Sequence, residues 1–311
     1  MRNVLATAAA LVLALAGGAS AASNAGAAGA QFLKLGAGAR AGALGDAVVA
    51  AEGDAFSIYH NPAALARLDR SQAGGAHTSL FQGITYQALA FARPFADRKQ
   101  AVGLGIFYLG VGDIERRTGD STNSVGTFNA ADAAYVASYS RAFGDRLSLG
   151  VNGKYISQSI DSYSGNSYAA DLGVLYRFNP DSDRPVTAGA AARNMGRSIG
   201  YVSSVQDPLP TSLHLGAAFT PLKGCGLSAE AGKYRDTNLY AAFGAEARRS
   251  FGEAAAGALR FGYNSARRAN DGLNGVTAGA GLSFHRAAFD FAWVPFGTLG
   301  DSFRFSLLIK F

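Results

Sequence analysis

The stretch Ser302-Phe303-Arg304-Phe305-Ser306-Leu307-Leu308-Ile309-Lys310-Phe311 alternates with a period of two. Phe303, Phe305, Leu307, Ile309 and Phe311 fall on one face, and Ser302, Arg304, Ser306, Leu308 and Lys310 on the other. Successive side chains of a strand point to opposite faces, so this is a strand with one bulky apolar face. Upstream, Val276, Ala278, Ala280, Leu282 and Phe284 oppose Thr277, Gly279, Gly281, Ser283 and His285, and 213–220 and 239–248 read alike. Helical spacing at i, i+3, i+4 never persists in these windows. In a soluble sandwich the inward face would be bulky and the outward face polar. Here the second face is Gly, Ala, Ser, Thr and isolated charges, too small and wet to fill a core. Such a sheet fits a wall between lipid and a watery lumen.

The same pattern predicts strands near 72–81, 84–95, 100–113, 128–143, 146–160, 167–178, 186–195, 210–220, 226–235, 238–249, 254–265, 275–285, 286–295 and 302–311. The expected fold is all-β: a 14-stranded antiparallel transmembrane β-barrel over residues 71–311, an even count as single-chain bacterial barrels require. The long polar connections 114–127, 196–209 and 266–274 follow odd strands, and the short links at Gly144-Asp145, Phe251-Gly252 and His285-Arg286 follow even ones. Outer-membrane barrels alternate long external loops with short periplasmic turns in this way. Most prolines lie in or beside connections, where their missing N–H costs no ladder bond. Phe95, Tyr108, Phe143, Tyr155, Tyr176, Phe178, Tyr263, Phe284 and Trp293 lie near strand ends, as interfacial girdles require.

Composition narrows the class. Forty of 311 residues are glycine, 16% are charged and 49% hydrophobic, which excludes a disordered chain. One cysteine, Cys225, rules out a disulfide framework and a four-thiolate metal site. The net charge of +6 is scattered, with no basic stripe for nucleic acid. Met1-Arg2-Asn3, the apolar run Val4 to Ala16 and Ala19-Ser20-Ala21 read as a signal peptide over 1–21, too short to span a bilayer. The mature chain is therefore expected to be exported.

Residues 22–70 do not alternate, and helical character appears only in short pieces. A barrel of 14 strands is wider than the eight whose side chains fill their own interior, so this segment is expected to be a plug within the lumen. Its order Phe32-Leu33-Lys34-Leu35-Gly36-Ala37-Gly38-Ala39-Arg40-Ala41-Gly42, Gly45-Asp46-Ala47 and Asp54-Ala55-Phe56-Ser57-Ile58-Tyr59-His60-Asn61-Pro62-Ala63-Ala64-Leu65-Ala66 resembles the N-terminal signature of the PorV/PorQ family. These are outer-membrane proteins of the broader FadL-like group. The ending from Phe289 to Phe311 is similar to the family's closing hairpin; the span between agrees only in strand spacing. His60 and Ala64 stand where the family commonly has Trp and Gly, and Asp46 replaces a frequent Gly; these departures bear on subfamily.

The resemblance implies a plugged bacterial outer-membrane barrel that passes small apolar molecules. It also implies an alternative, a component of a type IX secretion system that receives secreted cargo. A structural barrel binding partners through its loops is a further alternative. Asn61, Pro62 and Ala63 match the family's hatch triplet; with Gly36, Gly38, Arg40 and Gly42 they form the expected plug motif. Pro62 fixes φ and removes a donor, and Asn61 can satisfy backbone groups in a turn. Lys154, Asp171, Arg177, Arg193, Glu230, Glu246, Arg248, Arg260, Asp290 and Arg304 fall on the lumen face, as plug-to-wall ion pairs or as a lining that selects by charge. Phe305, Leu307, Ile309 and Phe311 read as a C-terminal assembly signal for the barrel-assembly machinery. The other expected contact is outer-membrane lipid.

No catalytic residue, metal site or cofactor is expected. Gly36-x-Gly38-x-x-x-Gly42 is one residue too long for a dinucleotide fingerprint and lies in no βαβ unit. His60, His77, His214 and His285 have no metal-ligand spacing and are expected to be lone residues. His214 beside Ser212 is the nearest approach to a nucleophile–base pair, with no acid partner marked in the sequence.

Overall fold

The computed structural model describes residues 26–120, 122–202, 205–267 and 275–311. The expected signal peptide lies outside them. The wall consists of β1 (Gln72–Ser79), β2 (Thr85–Pro94), β3 (Gln100–Arg116), β4 (Gly126–Phe143), β5 (Leu147–Ile160), β6 (Tyr163–Arg177) and β7 (Val186–Gly196). It continues with β10 (Ser212–Leu222), β11 (Cys225–Tyr234), β12 (Tyr240–Phe251), β13 (Ala255–Asn264), β14 (Val276–Phe284), β15 (Ala287–Pro295) and β16 (Asp301–Lys310). Between β7 and β10, β8 (Ile199–Val202) and β9 (Val205–Asp207) form a separate hairpin. The fourteen wall strands close into one antiparallel barrel, with β1 against β16 in the register Gln72↔Lys310 and Ser79↔Phe303.

The alternation read from sequence sorts the two faces. Leu89, Leu104, Phe261 and Leu282 stand outward and exposed, while Ala88, Ala92, Ala101 and Ala134 point inward and are buried. No helix among the described residues is long and apolar enough to cross a membrane. On the outer wall Tyr135, Tyr155 and Tyr168 follow one another across β4, β5 and β6, with ring centroids 6.2 and 5.3 Å apart.

Both ends of the wall, the start of β1 and the finish of β16, lie at one rim. That rim carries the tight turns through Gly144, Gly224, Gly252 and His285, the last with φ 50° despite its side chain. The long connections after β3, β7 and β13 lie at the opposite rim. By the rule for outer-membrane barrels the first rim is periplasmic and the second extracellular. The connection 178–185, with Asp181 and Asp183, is at the periplasmic rim. β3 and β4 have 17 and 18 residues, more than the ~10 a tilted strand needs to cross a membrane, so they project on the extracellular side.

β4 and β6 start at 126 and 163, earlier than the 128 and 167 expected from alternation, and the expected polar connection 196–209 contains the β8–β9 hairpin. The reason is physical. Pairs beyond the membrane need no lipid-facing apolar side, so their alternation fades.

Candidate functional site: the occupied lumen

The chain between residue 28 and β1 packs against the inward-facing side chains of the wall. It starts near the extracellular rim, where the Gly29 amide donates to the Pro208 carbonyl (2.9 Å) and the Ala30 amide to Gln158 Oε1 (3.3 Å). Lys34 reaches Asp236, in the β11–β12 connection, at 2.6 Å. Burial alone would raise the Asp236 pKa, but its bonds from Lys34 and Gln31 outweigh that and hold it below the ordinary aspartate value. Near the periplasmic rim, Thr187 Oγ1 donates to the Ala50 carbonyl (2.7 Å), Arg177 pairs with Glu52, and Arg67 donates to the Gly144 carbonyl (3.2 Å). The path thus runs the height of the barrel before the wall begins.

Short helical turns shape this path: Gln31–Lys34, Ala39–Ala43, Ser57–His60 and Pro62–Arg67. None is long enough to be stable alone, so packing against the wall holds them. One side of that packing is apolar. Phe32, Leu33, Phe56, Ile58, Tyr59 and Leu65 pack in one buried cluster with Tyr86, Phe107, Val136 and Ile156 from β2–β5. The Tyr59 ring meets Phe107 edge-on at 5.2 Å, and its hydroxyl donates to the Leu33 carbonyl (2.6 Å) while accepting from the Gly36 amide (3.0 Å).

The other side is charged. Arg40 donates to Glu246 from Nε (3.0 Å) and Nη2 (3.3 Å); Arg260 binds the same carboxylate at 2.5 Å and Asp290 at 2.7 Å. Asp46 pairs with Arg267 and lies 3.6 Å from Arg304. Glu230 Oε2 accepts from the amides of Val48 (3.0 Å) and Val49 (2.9 Å), a two-bond clasp on the segment's backbone. Its Oε1 lies 2.9 Å from His214 Nδ1, and His214 Nε2 lies 2.9 Å from Ser212 Oγ. Arg193 and the Tyr240 hydroxyl also meet the imidazole. On β5 and β6, Lys154 pairs with Asp171 at 2.8 Å, and Asp171 also accepts from Asn152 (2.8 Å) and the Asn194 amide (2.8 Å).

Asn61-Pro62-Ala63 closes a turn against β5 and β6. Asn61 Oδ1 accepts from the Ala63 amide (3.1 Å), and its Nδ2 donates to the carbonyls of Val49 (2.6 Å) and Val174 (3.0 Å). The turn lies on a glycine floor. A Cβ at Gly150 would come within 2.4 Å of the Ala63 nitrogen, and one at Gly173 within 2.1 Å of Asn61 Oδ1. In the plug motif, Gly36 and Gly38 have φ of +82° and +83°, and a Cβ on Gly42 would meet Arg304 Cδ at 2.8 Å.

All ten charged residues read as lumen-facing are on the inner face of the wall. Nine of them carry ion pairs or the contacts just given to the segment, to one another or to neighbouring wall residues. Arg248 is exposed, with one 3.3 Å bond to Ser283, and lines a 250 Å³ cavity at the periplasmic rim with Arg40 and Glu52. Phe305, Leu307 and Ile309 stand outward on β16, and the Phe311 amide donates to the Ser71 carbonyl (2.9 Å). Sequence reasoning missed Gly150, Gly173, Asp46, Glu52 and Asp236. Their inward parity was visible for the wall residues, but their partners were not.

One expectation about histidine needs correction. His214 is not a lone lumen residue, because strand register brings Glu230 beside it as an acid partner. His60 is bonded to the Ala37 carbonyl at 2.9 Å. Ser212, His214 and Glu230 have the hydrogen-bond order of a nucleophile–base–acid relay. Yet Ser212 is 4% exposed and His214 0%, and the relay's other bonds run to Arg193 and Tyr240 on the wall and to the Val48 and Val49 amides of the segment.

The family model for the type IX secretion system protein PorV matches residues 19–223. The chain belongs to the PorV family. It is a bacterial outer-membrane protein. Among solved structures it is similar to the toluene transporter TbuX of Ralstonia pickettii, with TM-score 0.58, 14% identity, and 89% of this chain and 98% of that one covered. The Pseudomonas putida toluene transporter TodX matches with TM-score 0.56, 12% identity, and 88% and 96% coverage. A Pseudomonas aeruginosa FadL homologue matches with TM-score 0.55, 13% identity, and 88% and 98% coverage. At these identities the likeness is one of fold. No curated protein matches the sequence significantly.

Proposed function

We propose that this PorV-family barrel passes small apolar molecules across the outer membrane, with residues 22–70 as a hatch, and that it performs no catalysis. One observation carries the reading. The apolar cluster extends from Ala30, Ile199 and Leu209 at the extracellular rim to Ala92, Ala101 and Leu68 at the periplasmic rim. An apolar solute displaced along it would stay among apolar side chains, avoiding the desolvated charges opposite. Similarity of fold to the toluene transporters TbuX and TodX supports the same choice.

The test is whole-cell uptake of labelled toluene by a host that lacks its own hydrocarbon channel. Expression should raise uptake several-fold, and Ile156→Glu, inside the apolar cluster, should abolish the gain while heat-modifiability shows an inserted barrel. Equal uptake with and without the protein would refute the reading.

A second reading is favoured by the family match: the barrel serves type IX secretion by receiving cargo at its extracellular rim. Its sign would be cargo accumulating in the periplasm when the protein is removed, with hydrocarbon uptake unchanged. Under either reading Phe305, Leu307, Ile309 and Phe311 act as the assembly signal. Deleting Phe311 should lower the yield of heat-modifiable, inserted protein; undiminished insertion would remove that role.

A further inference from the structure

The outer wall has a groove where β1 is stripped of side chains. In the periplasmic half of β1 the outward positions are Ala73 and Gly75, whereas Leu89 and Phe91 on β2 and Leu307 and Ile309 on β16 rise on either side; His77 and Ser79 follow outward beyond the groove. The result is a depression of 420 Å³ in a surface that meets lipid. Packing does not require it. A Cβ built on Gly75 has Leu89 Cδ2 at 3.5 Å as its only near neighbour, an ordinary contact. The space is therefore left open by the choice of residue alone.

At the periplasmic end of this groove, one outward position below Phe91, stands Arg93. It is exposed, opposite Val102 on β3, and its side chain has no hydrogen bond or ion pair among the described residues. Outward positions follow one another at about 7 Å along a strand, so the guanidinium is within reach of a headgroup whose chain lies over Ala73 and Gly75. A free guanidinium at that depth, where the apolar band ends, matches a phosphate in charge and in fork geometry. Arg141 on β4 is a natural control. It too is outward and exposed near the periplasmic rim, but it lies over the Phe143 ring at 5.3 Å.

We propose that β1 and Arg93 form a binding site for one glycerophospholipid of the periplasmic leaflet, with an acyl chain over Ala73 and Gly75 and the phosphate on Arg93. Lipid tails are as apolar as the groove, so burial alone selects nothing; fit to the groove together with the phosphate contact makes the site.

The full chain, purified in detergent and titrated with palmitoyl-oleoyl-phosphatidylglycerol, would be followed by native mass spectrometry. Wild type should retain one lipid after the remainder is stripped. Arg93→Ala and Gly75→Phe should each weaken retention about tenfold, and Arg93→Lys should recover part of it. Arg141→Ala should retain lipid like wild type. Heat-modifiability checks that each variant is folded; should Gly75→Phe fail to insert, the Arg93 series decides. Retention unchanged in Arg93→Ala, or lost equally in Arg141→Ala, would overturn the site. Inorganic phosphate competing as well as the lipid would also count against it, because the groove would then contribute nothing.

Discussion

The lumen has two unlike halves. On the β2–β5 side the segment inside the barrel meets Tyr86, Phe107, Val136 and Ile156, and its contacts are mostly dispersion and burial, with hydrogen bonds from Asn152 and to Gln158 and no ion pair among the described residues. On the β10–β16 side small apolar contacts, such as Ala39 and Ala43 on Ala292 and Val294, are joined by directed bonds to Glu230, Glu246 and Arg304. Apolar packing holds tightly but tolerates sliding and exchange for another apolar body. Charge-assisted bonds fix register, and lose much of their value once one partner is removed. The difference suits a segment that is anchored on one side and yields on the other.

The comparison can be broken by variants in each half, read by amide exchange of residues 40–66 in the folded barrel. The largest effect is expected from Ile58→Asp. An unpaired carboxylate among apolar side chains should cost about 4 kcal/mol and raise exchange of the segment to that of a free peptide. Protection unchanged by it would mean that the apolar half does not hold the segment. Next comes Glu230→Ala, which strands the amides of Val48 and Val49 and should cost about 2 kcal/mol. Glu230→Gln, which keeps an acceptor, should cost less. An equal loss in both would point to the charge and not to the bonds.

A double-mutant cycle on Arg40 and Glu246 should give a coupling near ~1 kcal/mol that shrinks with added salt, because both groups are only partly buried. The apolar half should show no salt response. Coupling that ignores salt would contradict the division. The smallest effect is expected from Asp236→Asn at the extracellular rim: the carboxylate is buried, but the amide keeps an acceptor for Lys34 and Gln31, so the loss should stay at about 0.5 kcal/mol.

How much of this was legible follows from what a single strand can encode. Alternation carries parity, so the wall strands and the inward placement of Lys154, Glu230, Glu246 and Arg304 could be read from sequence. Pairing across the lumen has no such signature. Arg40 and Glu246 are far apart in the chain, and only closure of the sheet brings them together. Gly150 and Gly173 look like any other small inward residue until the Asn61–Ala63 turn is seen resting on them. Ser212 and His214 were visible as a pair, but Glu230 joined them only through the β10–β11 register. The hairpin β8–β9 escaped because it lies outside the membrane band, where no lipid imposes a pattern.

The central claim is that the segment ahead of β1 fills the lumen and keeps it shut. Deleting about residues 26–68, with residues 1–25 kept, should leave a barrel that inserts and is heat-modifiable. In planar bilayers that protein should show a large, steady conductance, whereas the full-length chain stays closed. Asn61→Ala with Pro62→Ala should give only brief openings. A deleted barrel that inserts properly yet conducts no more than the full-length protein would contradict the account and move the closure to the extracellular connections.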